Sequence, residues 1–330
     1  LVSCHVIYIG VDYGDCGKVM AVFEKTTGLV IRITGSDYYV SGEEGEIRCV
    51  LRGRFRLEKD SDAVLPVVGD RVGFRVEKSP DHHGPVGLIV TVHPRKSIFA
   101  RKEPSGGKGY RVLGANLDCV FLVFSVKQPM LKLRLVDRMI VAAESGNMEP
   151  VICVNKMDLA ADEGSVSGKV STYEKMGYKV ILCSALRKSG LEPMKGYMAG
   201  KTSIMVGPSG AGKSSIISVL CPGLELRTAG VSRKTGKGRH TTTHFELHPI
   251  EGGGYLGDSP GIREFGIHGV ERSGLDEYFR DFTSVRTYCR FTSCSHSHEP
   301  GCAVKDAVEA GSISHERYES YLKILNTLPG

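Results

Sequence analysis

The chain has no apolar run approaching the roughly 20 residues that a membrane-spanning helix needs; its longest, residues 119–124, reads as one buried strand. No membrane contact is expected. The N-terminus carries no basic segment leading into a long apolar stretch, so a secretory signal is not expected either. Closely spaced cysteine pairs are missing until Cys289, and the ten cysteines are otherwise scattered singly. That argues against a disulfide scaffold and for a reducing, cytoplasmic setting. Acids are missing altogether from residues 227–244 (RTAGVSRKTGKGRHTTTH), leaving a glycine-rich, basic stretch.

What is present is a globular composition. Of 330 residues, 41% are hydrophobic and 24% charged, enough chain for two or three domains that each bury a core. The formal net charge of +6 suits a nucleic-acid partner as well as it suits an ordinary basic enzyme. With 41 glycines in the chain, a glycine motif counts only where its flanking elements are right.

Residues 1–27 carry few structural signals and are set apart as an extension. From 28 to 100, alternating runs at 29–33, 45–50, 53–57, 70–76 and 87–92 predict five short strands. These fit a small Greek-key barrel of the OB type, for which the block 28–100 is set apart as an expected RNA-binding domain, and a different small barrel of that size fits too. Residues 101–112 are expected to be a basic linker. They lie in a stretch bearing Arg95, Lys96, Arg101, Lys102, Lys108 and Arg111, consistent with a solvated connection or with a phosphate-contacting arm. From 113 to 265, apolar strands at 120–126, 151–154, 180–183 and 202–206 alternate with helical stretches at 133–144 and 213–220. That is the texture of a mostly parallel α/β sheet covered by helices. Residues 266–330 show helical patterns around a Cys/His cluster and end in an amphipathic stretch at 314–325.

Gly207-Pro208-Ser209-Gly210-Ala211-Gly212-Lys213-Ser214 follows a strand and opens a helix, the context a phosphate-binding loop requires. Its backbone N–H groups, continuing to Ser215, would cradle phosphates. Lys213 would reach the β and γ oxygens and the Ser214 hydroxyl would ligate Mg²⁺. Asn155-Lys156-Met157-Asp158 follows another apolar strand. The Asp158 carboxylate can accept from guanine N1–H and its 2-amino group; Asn155 can serve the O6/N7 edge, and the Lys156 stem can lie over the ring. Ser184-Ala185 offers a backbone N–H for O6. Asp258-Ser259-Pro260-Gly261 matches the element that holds Mg²⁺ through water and senses the γ-phosphate through a glycine N–H.

Ile262 stands where many GTPases place the glutamine that orients the attacking water. Hydrolysis is therefore slow, or another group does that work. In 227–244, Thr241, Thr242 and Thr243 are available to close on Mg²⁺, with Thr242 taken as the ligand. His240 beside them is the catalytic candidate, although a lone loop histidine is as readily a surface residue. The base-reading motif precedes the phosphate loop, the reverse of the ordinary GTPase order. Such a cyclic shift is tolerated because domain termini tend to lie near one another.

Cys289-x4-Cys294-x-His296-x5-Cys302 places four ligands within fourteen residues. Three thiolates and an imidazole make a closed tetrahedral set for one structural Zn²⁺, with His298 as a competing ligand and buried or redox cysteines as the plainer reading.

With these motifs in view, the chain closely resembles the circularly permuted, small-ribosomal-subunit-dependent GTPases of the RsgA (YjeQ/YloQ) family. The resemblance runs over roughly 28–328. It is carried by Leu51-Arg52-Gly53, Val68-Gly69-Asp70, the permuted motif order, Gly238-Arg239-His240-Thr241-Thr242-Thr243, the run from Asp258 through Ile262-Arg263-Glu264-Phe265, and Glu299-Pro300-Gly301-Cys302. It implies three parts: an OB barrel, a permuted GTPase domain binding GTP or GDP with Mg²⁺, and a mostly helical zinc-binding domain. It further implies late maturation of the small (30S) ribosomal subunit, contact with 16S rRNA, and hydrolysis stimulated by the subunit and driving release. A hydrophobic residue after the Asp-x-x-Gly element and a switch histidine proposed for catalysis are family features, matched by Ile262 and His240. A monomer is expected. A guanine-nucleotide-gated RNA-binding protein with negligible turnover, or a small-molecule kinase on the same loop, are the alternatives.

Overall fold

The structure, a computed structural model, describes residues 26–51, 65–78, 85–102, 110–222, 245–258 and 266–328. Strands β1 (Thr26–Thr34), β2 (Asp37–Gly42), β3 (Gly45–Leu51), β4 (Arg71–Lys78) and β5 (Pro85–Val92) close into a barrel in the order β1-β2-β3-β5-β4. Only β3 and β5 pair in parallel. This is a five-stranded Greek-key barrel of the OB type. Period-two alternation turns Val30, Val40, Cys49, Val72, Phe74 and Ile89 inward. β2 is a strand that the sequence pattern did not set apart. Its alternation around Tyr38 and Val40 is hemmed by Gly35, Ser36, Asp37 and Gly42, residue types that read as turns. The strand expected at 53–57 and residues 1–25 of the extension lie outside the described residues.

The stretch expected to be a linker is different where it is described. β6 (Ile98–Lys102) and β7 (Tyr110–Ala115) pair antiparallel, with Arg101 opposite Arg111 and Lys102 opposite Tyr110. The apolar residues decide this: Phe99 and Ala100 are buried, and Phe99 packs against Phe245 with ring centroids 6.0 Å apart. Arg95, counted among the arm's phosphate contacts, is committed elsewhere. Its guanidinium binds both oxygens of the buried Asp70, at 2.9 and 2.8 Å, while Val67 N–H donates to the same carboxylate. The Val68-Gly69-Asp70 element thus joins the barrel to the hairpin, reinforced by Gly69 N–H donating to Val30 and Ala115 N–H to Val68.

A six-stranded sheet follows, in the order β10 (Lys179–Leu182), β9 (Glu149–Asn155), β8 (Cys119–Ser125), β11 (Thr202–Val206), β13 (Tyr255–Asp258), β12 (Glu246–Pro249). Every pair is parallel except β12 with β13. All seven residues of β8 are buried, as expected for a central strand covered on both faces. Val120, Leu122 and Phe124 face a core shared with α1 (Leu133–Ser145) and α2 (Glu163–Lys175). Phe121 and Val123 face α3 (Glu192–Met198) and α4 (Lys213–Leu220). Asp162 caps α2 by accepting from the N–H groups of Gly164 and Ser165. The barrel meets the sheet at β12, where Arg32 lies 3.6 Å from Glu246, and at β13, where Ser41 hydrogen-bonds Tyr255.

The C-terminal segment contains short 3₁₀ turns at Arg272–Tyr278 and Arg286–Tyr288, then α5 (Ala303–Glu309) and α6 (His315–Leu325). It shares the α1 side of the core through Phe279, Phe282, Tyr321 and Ile324. Arg317 on α6 is 5% exposed and pairs with Asp137 of α1 at 2.5 Å and with Asp281 at 2.8 Å; Tyr173 of α2 donates to Asp137 as well. Arg317→Ala would strand the Asp137 carboxylate in the core, and should lower the unfolding free energy by about 3 kcal/mol in urea titrations. A loss below about 1 kcal/mol would mean that the buried pair contributes little net stability. Among the described residues no helix is long and apolar enough to cross a membrane.

Candidate nucleotide site and metal centre

The loops that follow β9, β10 and β11 gather at the carboxyl edge of the parallel strands, where ligands bind in open α/β sheets. β11 ends at Val206, and the phosphate loop turns through three glycines with positive φ: Gly207 (154°), Gly210 (80°) and Gly212 (95°). A Cβ on Gly207 would sit 2.0 Å from the Val123 carbonyl, and one on Gly212 would sit 2.2 Å from Asn155 Nδ2. Glycine is therefore a steric requirement at both ends of the loop. Ser209 is exposed, Pro208 half-buried and Ala211 buried. Lys213 Nζ donates to the carbonyls of Gly207 and Pro208 at 2.7 and 3.1 Å, held across the loop where a phosphate would lie. Burial lowers its pKa. Ser214 and Ser215 are exposed in the first turn of α4, with N–H groups that no helical carbonyl can take.

Asn155, at the end of β9, is 2% exposed. Its Nδ2 donates to Ala211 of the phosphate loop at 3.0 Å, and its Oδ1 accepts from Ala185 N–H at 3.0 Å. One side chain therefore fastens three loops together. The sequence placed it at the O6/N7 edge of the base; after these bonds one Nδ2–H remains for that purpose. Lys156 follows in the left-handed region, with φ 61°, and its Nζ donates to Gln128 beyond β8 at 2.6 Å. Asp158 Oδ1 accepts from the Ser184 hydroxyl, and Ser184 and Ser189 exchange both backbone hydrogen bonds to close their loop. Ser184 is thus a support for Asp158, a role that motif matching alone did not indicate. Asp158 Oδ2 has no protein partner among the described residues, which leaves it open as an acceptor. Asp158→Asn should weaken GTP binding by about 3 kcal/mol, roughly a hundredfold, and favour xanthosine triphosphate. Wild-type protein that binds ATP as tightly as GTP would show that the base site has been misassigned.

β13 pairs with β11 in parallel, Gly257 opposite Ile204, which brings the backbone of Asp258 beside the start of the phosphate loop. The Asp258 side chain, Gly261 and Ile262, and the switch with His240, Thr241, Thr242 and Thr243, lie outside the described residues.

The second site is compact. One ligand atom each from Cys289, Cys294, His296 and Cys302 lies within 4.8 Å of all the others. His296 Nδ1 is 3.5 Å from Cys289 Sγ and 3.4 Å from Cys302 Sγ, and those sulfurs are 3.9 Å apart. Zinc–sulfur bonds of ~2.3 Å in a tetrahedron put sulfurs ~3.8 Å apart, so the donor set fits zinc. His298, the competing ligand, is exposed and bonds Ser297 instead. Behind the cluster, His296 Nε2 faces Asp276 Oδ2 at 3.6 Å, and Arg286 binds the same oxygen at 2.6 Å. Burial alone would raise the Asp276 carboxyl, but His296 and Arg286 outweigh it and hold the pKa below its usual value. An ionised carboxylate here orients the imidazole with Nδ1 toward a metal. Tyr318 and Tyr321 of α6 donate to the carbonyls of His296 and Ser295. Asp276 and these tyrosines lie far from the cluster in sequence, and no local pattern announces them.

A family model described as RsgA GTPase matches residues 92–268, and one described as RsgA N-terminal domain matches residues 27–82. The small ribosomal subunit biogenesis GTPase RsgA of Gemmatimonas aurantiaca is 41% identical over 307 residues, covering 93% of this chain and 98% of that one. Its counterpart in Caldanaerobacter subterraneus subsp. tengcongensis is 38% identical over 302 residues, covering 92% and 95%. Among solved structures, YjeQ from Thermotoga maritima aligns with TM-score 0.73 and 36% identity over 92% of this chain and 98% of its own. YloQ, described as a circularly permuted GTPase, aligns with TM-score 0.72 and 29% identity over 94% and 97%. With the barrel, the reordered motif loops and nearly the whole length matched, the chain belongs to the RsgA GTPase family.

Proposed function

We propose that this protein hydrolyses GTP as a late biogenesis factor of the small ribosomal subunit, working as a monomer in the cytoplasm. The observation that carries the reading is Asn155, which ties the base-reading, Ser184-Ala185 and phosphate loops into one site despite their reversed order. Asp158 selects guanine, Lys213 neutralises phosphate charge, and the N–H groups of 207–215 cradle the phosphates. Ser214, exposed at the mouth of the loop, fits a Mg²⁺ ligand, with Asp258 and Thr242 completing the set. When bound, that ion neutralises charge developing on the transferred phosphoryl group.

The barrel and the metal-bound C-terminal segment grip 16S rRNA, and the nucleotide state sets their arrangement. Asp258 precedes the C-terminal segment directly, so loss of γ-phosphate contacts has a short path to that segment and to release. Hydrolysis is slow in the free protein because Ile262 cannot align water. Small subunits order the basic switch, placing His240. The test is GTP turnover with and without small subunits. Stimulation by orders of magnitude is expected, falling on the order of 10²-fold in His240→Ala with nucleotide affinity kept. Negligible turnover with subunits present would leave only a guanine-nucleotide-gated RNA-binding protein; full stimulation in His240→Ala would exclude the histidine.

A further inference from the structure

The residues around the metal ligand Cys289 form a surface that neither the nucleotide site nor the metal site uses. From Thr287 to Ser293, every residue except Cys289 is exposed. Tyr288 is 79% exposed and Phe291 43%. Neither ring contributes to the core clusters. The run contains no acid; its one charge is Arg290, whose guanidinium carbon lies 5.6 Å from the Phe291 ring centroid. Among the described residues Arg290 has no carboxylate within ion-pair distance. The nearby acids are already committed. Asp276 is bound by Arg286, and Glu299 accepts from the N–H groups of Ser295, Ser297 and His298.

The backbone from Tyr288 to Arg290 is tied down by hydrogen bonds. Tyr288 N–H donates to Val285, Cys289 N–H to Arg286 and Arg290 N–H to Gly301, and Cys289 Sγ belongs to the metal cluster. Two aromatic rings, a guanidinium with no carboxylate partner among the described residues, and the hydroxyls of Thr287, Thr292 and Ser293 therefore stand out from a hydrogen-bonded turn.

We propose that Tyr288, Arg290 and Phe291 form a stacking site for an unpaired base of single-stranded RNA. Every base offers a flat face to an exposed ring, and a guanidinium beside the ring adds cation–π attraction and a phosphate contact. The flanking hydroxyls suit sugar and phosphate oxygens. Duplex RNA keeps its bases stacked inside and cannot use the rings in this way. The proposal rests on the RNA-binding reading above and gives it a ligand class and a location.

The test uses full-length, zinc-loaded protein with three probes: a short mixed-sequence single-stranded RNA, the same RNA annealed to its complement, and small ribosomal subunits. The Tyr288→Ala/Phe291→Ala double variant should bind the single strand about tenfold or more weakly, with duplex affinity unchanged. Tyr288→Phe, which keeps the ring face, should stay within about threefold of wild type. Zinc content and GTP turnover without subunits should be unaltered in both variants. Equal losses for single strand and duplex would overturn the stacking site, as would a Tyr288→Phe loss as large as that of alanine. Intact single-strand binding with weakened subunit binding would also overturn it, and would mark a protein contact instead. Wild-type protein that fails to bind small subunits at all would sink the functional reading. Wild-type binding that the double variant matches on every probe would sink the stacking site alone.

Discussion

Chelating the metal, or replacing Cys302 with serine, should unfold the C-terminal segment while the nucleotide-binding sheet persists. Structural zinc contributes on the order of 10 kcal/mol to the fold that assembles its ligands, and residues 289–302 are otherwise held by scattered hydrogen bonds, among them those that Glu299 accepts from Ser295, Ser297 and His298. Within that span the described secondary structure is a bare series of turns. Its position depends on the ligand cluster, on Asp276 behind His296, and on Tyr318 and Tyr321 gripping two carbonyls. Because α6 also covers α1, the rest of the core should lose stability as well. Metal analysis should find one zinc per chain, and helical circular dichroism should fall when it is stripped. A metal-free preparation with unchanged helical signal and small-subunit binding would refute the assignment.

Lys213→Ala should lower GTP turnover on the order of 10³-fold without unfolding the protein. Among the described residues Lys213 Nζ hydrogen-bonds the Gly207 and Pro208 carbonyls alone, and Lys213 belongs to none of the core clusters. What disappears is a flexible cation on the phosphate loop, where charge would build on the β and γ oxygens. Single-turnover kinetics with saturating GTP separate this from weaker binding. A rate within about threefold of wild type would put the chemistry elsewhere.

Motifs that act through their own backbone are legible in the sequence. Gly207 and Gly212 announce a phosphate loop because close approach to Val123 and Asn155 excludes any side chain. The all-apolar run that becomes β8 announces a central parallel strand. The cluster of Cys289, Cys294, His296 and Cys302, which could hold a metal ion, is legible for a similar reason, since its thiols and imidazole are closely spaced in sequence. What escapes is support from a distance. Ser184 beneath Asp158, Asp276 behind His296 and Asp70 holding Arg95 are ordinary polar residues until the fold brings their partners near. The hairpin β6–β7 escaped for another reason. Its basic residues suggested a solvated connection, whereas Phe99 and Ala100 decided its burial.

The order of the strands also has a consequence during synthesis. β8 lies between β9 and β11, and its Val120, Leu122 and Phe124 face gains cover from α1 almost at once. The face with Phe121 and Val123 waits for α3 and α4, and one strand edge waits for β11, roughly 80 residues later. At ~5–20 residues per second that interval lasts ~4–16 s. With the phosphate-loop strand leading, as in the unpermuted order, β11 would already be in place when β8 emerged. Here a chain interrupted before Glu192 presents its most apolar strand with an open edge and a bare face, the combination that invites aggregation.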